Sequence, residues 1–187
     1  MDSQALIVVV AAAVLVLVGI GLYAYQSRRR REELRNRFGP EYDRTLSATG
    51  SSAEADAILA KRLDRVARFK LHPLNQAQRD SFAREWQRVQ GRFVDDPDAA
   101  VSEADQLVSQ VMAARGYPVQ DFDRLADDVS VDHPHVVENY RTARALMLRR
   151  TNGEASTEEL RQAVVNYRAL FNDLLETDER HQHRRAS

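Results

Sequence analysis

Cysteine is absent from the 187 residues, which excludes disulfides, thiolate catalysis and the usual zinc knuckles. The seven glycines, at 19, 21, 39, 50, 91, 116 and 153, form neither a GxGxxG nor a GxxxxGK phosphate loop, and no GxSxG or HExxH string occurs. Charge of one sign is missing too. With 27 basic against 28 acidic residues the net charge is -1, so no nucleic-acid binder working through a global positive field is expected. Lysine is nearly missing as well, so the basic complement is almost all arginine. No window of alternating apolar and polar residues is bounded by hairpin turns, which argues against strands.

What is there is unevenly spread. Twenty of the first 25 residues are hydrophobic, against 61 of the remaining 162, enough beyond position 25 for one small core. Every residue from 5 to 25 is apolar or glycine. As a helix that stretch spans roughly 31 Å, which predicts a transmembrane segment. A cleaved signal peptide would need a basic region before the apolar stretch, but residues 1–4 carry only Asp2. The positive charge follows instead, at Arg28, Arg29, Arg30 and Arg31, then Arg35 and Arg37. That asymmetry predicts a single-pass cell-membrane protein with its N-terminus outside and its domain in the cytoplasm. The lipid bilayer is then one partner, and the arginines could add about 1 kcal/mol each of attraction to anionic lipid. Gly19 and Gly21 lack GxxxG spacing, so helix dimerisation is not indicated.

Beyond the arginines the chain reads as amphipathic helices. Gly39 and Pro40 break any helix continuing from the apolar stretch. Residues 45–52 are small and polar and read as a linker. Ser51 with Glu54 has capping-box spacing, ahead of Leu59, Leu63, Val66 and Lys70 on one face with Ile58 and Phe69 beside it. Asn75 with Gln78 opens a second helix carrying Phe82, Trp86, Val89 and Phe93. Asp96 and Pro97 open a third, with Val101, Ala104, Leu107, Val108, Val111 and Met112 inward, stopped by Gly116 and Pro118. Residues 119–132 read as a short helix and a loop. Pro134 should open a helix with Val136, Tyr140, Ala143 and Met147 inward, and Ser156 with Glu159 another with Leu160, Ala163, Tyr167, Leu170 and Leu174 inward. The expected fold is all-α: one N-terminal transmembrane helix, then a small bundle of about four longer helices plus a short one. Its divisions are a short N-terminus at 1–4, the transmembrane helix at 5–25, a basic juxtamembrane segment and linker at 26–50, the helical domain at 51–176 and a disordered tail at 177–187.

Several strings, FGPEYDR at 38–44, RFVD at 92–95, RGYPV at 115–119, SVDHP at 130–134 and STEELR at 156–161, span most of the chain outside its two ends. Through them the chain resembles a group of uncharacterised bacterial proteins of actinobacterial type, single-pass membrane or "secreted", with one N-terminal hydrophobic segment and a helical domain. The resemblance implies a bacterial membrane location and supplies no catalytic residue.

Chemistry-bearing residues concentrate in one place. Asp121, Asp123, Asp127, Asp128 and Asp132 crowd around Phe122, Leu125 and Val129, directly ahead of His133 and His135. Two imidazoles two residues apart beside a carboxylate could reach one metal. The plainer alternative has Asp132 or His133 capping the helix opened by Pro134, with His135 exposed in its first turn. An acid/base pair among the aspartates would need a concave pocket that separates their pKa values, which nothing in the sequence indicates. His181 and His183 fall in the polar end region and read as solvated. Phe82, Trp86 and Phe93 keep a helical period and read as core, not as a stacking platform. No catalytic residue, cofactor or metal is assigned. The expectation is a membrane-anchored helical interaction or scaffold module at the cytoplasmic face, with a protein partner met by the five aspartates. An enzyme or metal-dependent sensor using residues 121–135 is the alternative.

Overall fold

The computed structural model describes residues 3–185, and the side chains of 15–22 and 24–176. The described chain is all-α, eight helices with no strand: α1 (Ser3–Phe38), α2 (Pro40–Thr49), α3 (Ser52–Val66), α4 (Gln76–Asp95), α5 (Pro97–Ala114), α6 (Phe122–Val129), α7 (Val137–Thr151) and α8 (Thr157–Arg185). They build two packed units. In the first, Leu34 and Phe38 at the end of α1 close on Tyr42 of α2 and on Leu59 and Val66 of α3, with Val131 joining from the chain after α6. In the second, α4, α5, α7 and α8 form a bundle around Val108, Val111, Tyr140, Tyr167 and Leu170, with α6 laid against it. Trp86 of α4 stacks on Phe171 of α8 at 4.7 Å between ring centroids, which seats the indole in this core.

Local chemistry starts the helices where the spacing predicts. Asn75 and Gln78 make a reciprocal capping box, Asp96 accepts from the Ala99 N–H ahead of Pro97, and Ser156 and Glu159 exchange hydrogen bonds at the start of α8. Gly39 takes φ 49 between α1 and α2, a left-handed turn that a side chain would strain, and Pro40 then occupies the first turn of α2. Gly116 has φ 95, and a Cβ there would lie 2.6 Å from the Lys70 carbonyl oxygen, so glycine lets the segment after α3 pack on the end of α5.

Three expectations are corrected. The first concerns the membrane. Among the described residues no helix is long and apolar enough to cross one. The single-pass anchor over 5–25, its outward N-terminus read from Arg28, Arg29, Arg30 and Arg31, and the cytoplasmic placement of the domain are overturned on that finding. In physical terms, α1 runs without a break from its apolar residues into the arginines and on into the folded unit. The side chains of residues 5–14 lie outside the described ones.

The second is the linker. Residues 40–49 are helical because Pro40 presets the first turn, Glu41 and Asp43 sit at its positive end, and Glu41, Tyr42 and Thr45 are buried. The third is the start of α7, which begins at Val137 with no side-chain cap. Neither Asp132 nor His133 caps it, because the chain first makes a turn in which the His133 carbonyl accepts from the Val136 and Val137 N–H groups. At the other end α8 continues past Glu176 to Arg185, while residues 186–187 lie outside the described chain.

Candidate functional site

The acidic segment lands where the two units meet. α6 is eight residues long and opens with Asp121, whose carboxylate accepts from the Arg124 N–H. Its buried side, Leu125, Ala126 and Val129, faces the bundle core, and this turns Asp127 and Asp128 toward α3.

Asp127, half-buried, pairs with Arg62 of α3 at 2.8 Å and with Arg141 of α7 at 3.1 Å. Both arginines also reach Glu41 of α2. Arg62 donates to its Oε1 at 2.8 Å, and Arg141 donates to Oε2 at 2.6 Å and to Oε1 at 3.0 Å. Glu41, Arg62, Asp127 and Arg141 thus close a ring of two carboxylates and two guanidiniums. Glu41 is 2% exposed, and Arg62 also donates to the Ser130 hydroxyl at 3.3 Å. Burial pushes the Glu41 carboxyl up, but the hydrogen bonds and charges of Arg141 and Arg62 outweigh it and hold the pKa below the ordinary value.

Asp128 is as deeply buried, and Arg65 of α3 meets it at 2.5 Å. Here burial prevails over the single guanidinium and Asp127 adds like charge, so the Asp128 carboxyl sits above its ordinary value. Asp132 accepts from the Tyr117 hydroxyl at 2.9 Å and lies 3.8 Å from Arg37 of α1. Burial first, and Asp132 second, push the Tyr117 phenol far up. Asp123 is exposed on the rim of a cleft of about 520 Å³ that is also lined by Arg44, Phe122, Glu138 and Arg141. Of the five aspartates, then, Asp127, Asp128 and Asp132 face arginines of the first unit, Asp121 caps its own helix, and Asp123 faces solvent.

The two histidines part company. His133 is buried, with Nδ1 2.5 Å from Asp173 of α8 and with its Nε2 enclosed and unbonded. His135 is exposed, its ring against Gly39. Among the described residues no three potential ligands gather to hold a metal ion. The four arginines read as a topology signal stand on the outer part of α1: Arg28 and Arg30 are exposed, Arg29 pairs with Glu33 at 3.6 Å, and Arg31 pairs with Asp56 of α3 at 3.3 Å.

Glu41, Arg62, Arg65 and Arg141 are the residues that sequence reasoning missed. A signal for Arg62 existed: Leu59, Arg62 and Val66 are spaced three and four apart, which puts the guanidinium on the buried face of α3. A second buried polar group went unseen as well. Inside the bundle Asp105 accepts from the Tyr167 hydroxyl at 2.8 Å and from Arg144 at 2.6 Å.

No protein-family model, no curated protein and no solved structure matches the chain, so no family is assigned to it.

Proposed function

We propose that the chain is a helical interaction or scaffold module that engages a protein partner. The observation that supports this reading is the outer part of α1. Leu15, Val16, Leu17, Val18, Ile20, Leu22 and Tyr25 are each more than half exposed, on a helix continuous with the folded unit at Leu34 and Phe38. Contiguous apolar surface of this kind is costly in water and marks a place where another molecule packs. A partner offering a complementary apolar helix would bury it by side-chain interdigitation.

The alternative, an enzyme or metal-dependent sensor over residues 121–135, has less in its favour, since Asp127, Asp128, Asp132 and His133 are engaged within the chain. The test is capture with the full chain and with Val18→Asp/Leu22→Asp, two exposed positions one turn apart. The partner should be recovered with the unaltered chain and lost with the double variant. Equal recovery by both, or burial of the apolar helix in detergent with no protein recovered, would overturn the reading.

A further inference from the structure

The two units have separate apolar clusters, and a row of ion pairs runs between them. The first has its own apolar cluster and its own polar ties: Arg31 to Asp56 at 3.3 Å, the Tyr42 hydroxyl to Asp56 at 2.9 Å, and Arg35 to Asp43 at 3.1 Å. The second has the larger core. Phe69 and Leu71, on the non-helical segment 67–75 that connects the units, pack against both clusters, and the end of that segment belongs to the bundle: the His72 N–H donates to the Arg115 carbonyl at 3.1 Å and Leu74 is buried in the bundle core.

The pairs that cross between the units share a polarity. Arg37, Arg44, Arg62 and Arg65 come from the first, and they meet Asp132, Glu138, Asp127 and Asp128 of the second. The reverse pair is Glu41 with Arg141. Attraction between buried ions is largely offset by the water they give up, so a junction of this kind holds two bodies in register without holding them tightly. Separation would uncover Val131 on the bundle side and part of Phe69 and Leu71 at the connection.

We propose that α1–α3 swings off the bundle as a folded unit about Lys70 and Leu71, between the last backbone bond to α3 at Phe69 and the His72 tie to Arg115, uncovering the carboxylate face of α6. The uncovered face suits an arginine-bearing helix, since that is the chemistry seated on it when closed. The motion stands independently of any partner, and only its use as a docking step rests on the interaction reading above.

A chain without cysteine permits a clean distance measurement. Ser47→Cys on α2 and Ala145→Cys on α7, both exposed, would carry spin labels in the full chain, read by double electron–electron resonance. In low salt one short distance should dominate. At 1 M salt, where the screening length falls to about 3 Å and the exposed pairs Arg37–Asp132 and Arg44–Glu138 are screened most, a longer distance should grow by about threefold or more. Arg65→Glu, which sets a carboxylate against Asp128, should make the longer distance dominant, and adding Asp128→Asn should return the short one. Trp86 emission should stay constant throughout, because the bundle remains folded. A single unchanging distance, or a longer one that appears only as Trp86 emission shifts, would overturn the proposal. Partner capture plays no part in this readout, so its failure and that of the interaction reading are distinguishable.

Discussion

Replacing Glu41 by glutamine keeps the side chain's size and removes its charge from the centre of the ring. Arg62 and Arg141, with side chains 10% and 12% exposed, would then share Asp127 as their remaining carboxylate in the ring. The amide oxygen can still accept from one of them, but the amide nitrogen turns a donor toward donors. Leaving a buried charge uncompensated costs about 3 to 5 kcal/mol, and because Asp127 stays in place the low end, about 3 kcal/mol, is expected. In urea, with a slope of about 2 kcal/mol per molar, that is a midpoint lower by about 1.5 M. Asp128→Asn should behave differently. Its carboxyl sits above the ordinary value because burial outweighs Arg65, so the charged form is already disfavoured in the folded chain. Arg65 is partly exposed and can turn to water, so this loss should stay within about 1 kcal/mol. The acid dependence separates the two by sign. The folded pKa of Glu41 lies below the ordinary 4.5, so its contribution is full above that value and is lost as pH falls through the lower folded one. The gap between the unaltered chain and Glu41→Gln should therefore close in that acid window. The raised Asp128 pKa is a cost at neutral pH that is relieved as pH falls through the folded value. Urea melts at several pH values read both effects. Equal losses from the two variants, or a gap that widens in acid, would refute the account of the junction.

Three further outcomes follow from other parts of the fold. Gly116→Ala should cost about 2 kcal/mol or more in a thermal or urea melt, because φ 95 and a carbonyl oxygen 2.6 Å from the new Cβ both oppose it. Gly91→Ala, in the interior of α4 with open space around it, should instead stabilise by about 0.5 to 1 kcal/mol. Burial first and nearby carboxylates second push the phenols of Tyr117, Tyr140 and Tyr167 well above the ordinary 10, so in an absorbance titration they should ionise only on unfolding. The unfolded chain releases those protons near pH 10 and the folded chain does not, so stability should fall as pH rises past that value.

Most of the bundle could be read from the apolar period and the caps, because both signals are local. All six inward residues expected for α5 are buried, as are the five expected for α8, and the cap residues Ser51, Asn75, Asp96 and Ser156 each accept the predicted backbone hydrogen bond. Reading fails where a tertiary contact overrides local chemistry. Residues 45–52 look like a linker by composition, yet Tyr42 and Thr45 gain burial against the first unit, and hydroxyl groups of Thr45 and Thr49 bond back to carbonyls four residues earlier. On α3 an apolar count passes over Arg62, since a paired guanidinium can occupy a buried position that the period assigns to a hydrophobe. His133 displaces the start of α7 because its ring is drawn inward to Asp173, forty residues downstream.

The acidic segment shows the same limit most sharply. Five aspartates within twelve positions call for a basic counterpart by simple repulsion, and the one arginine among them, Arg124, pairs with Asp121 alone. The structure places arginines from much earlier in the chain opposite three of them. Arg65 is sixty-three positions before Asp128, and Arg62 sixty-five before Asp127. A charge run therefore announces the chemistry of its complement without its address, because Coulomb attraction carries no record of sequence separation. Whether that complement is cis or trans is decided by where the intervening helices can bring it, here by α3 lying along α6. What remains for a second molecule is the surface that the chain's own arginines leave open: Asp123 with the cleft beside it when the units are closed, and the face of Asp127 and Asp128 when they part.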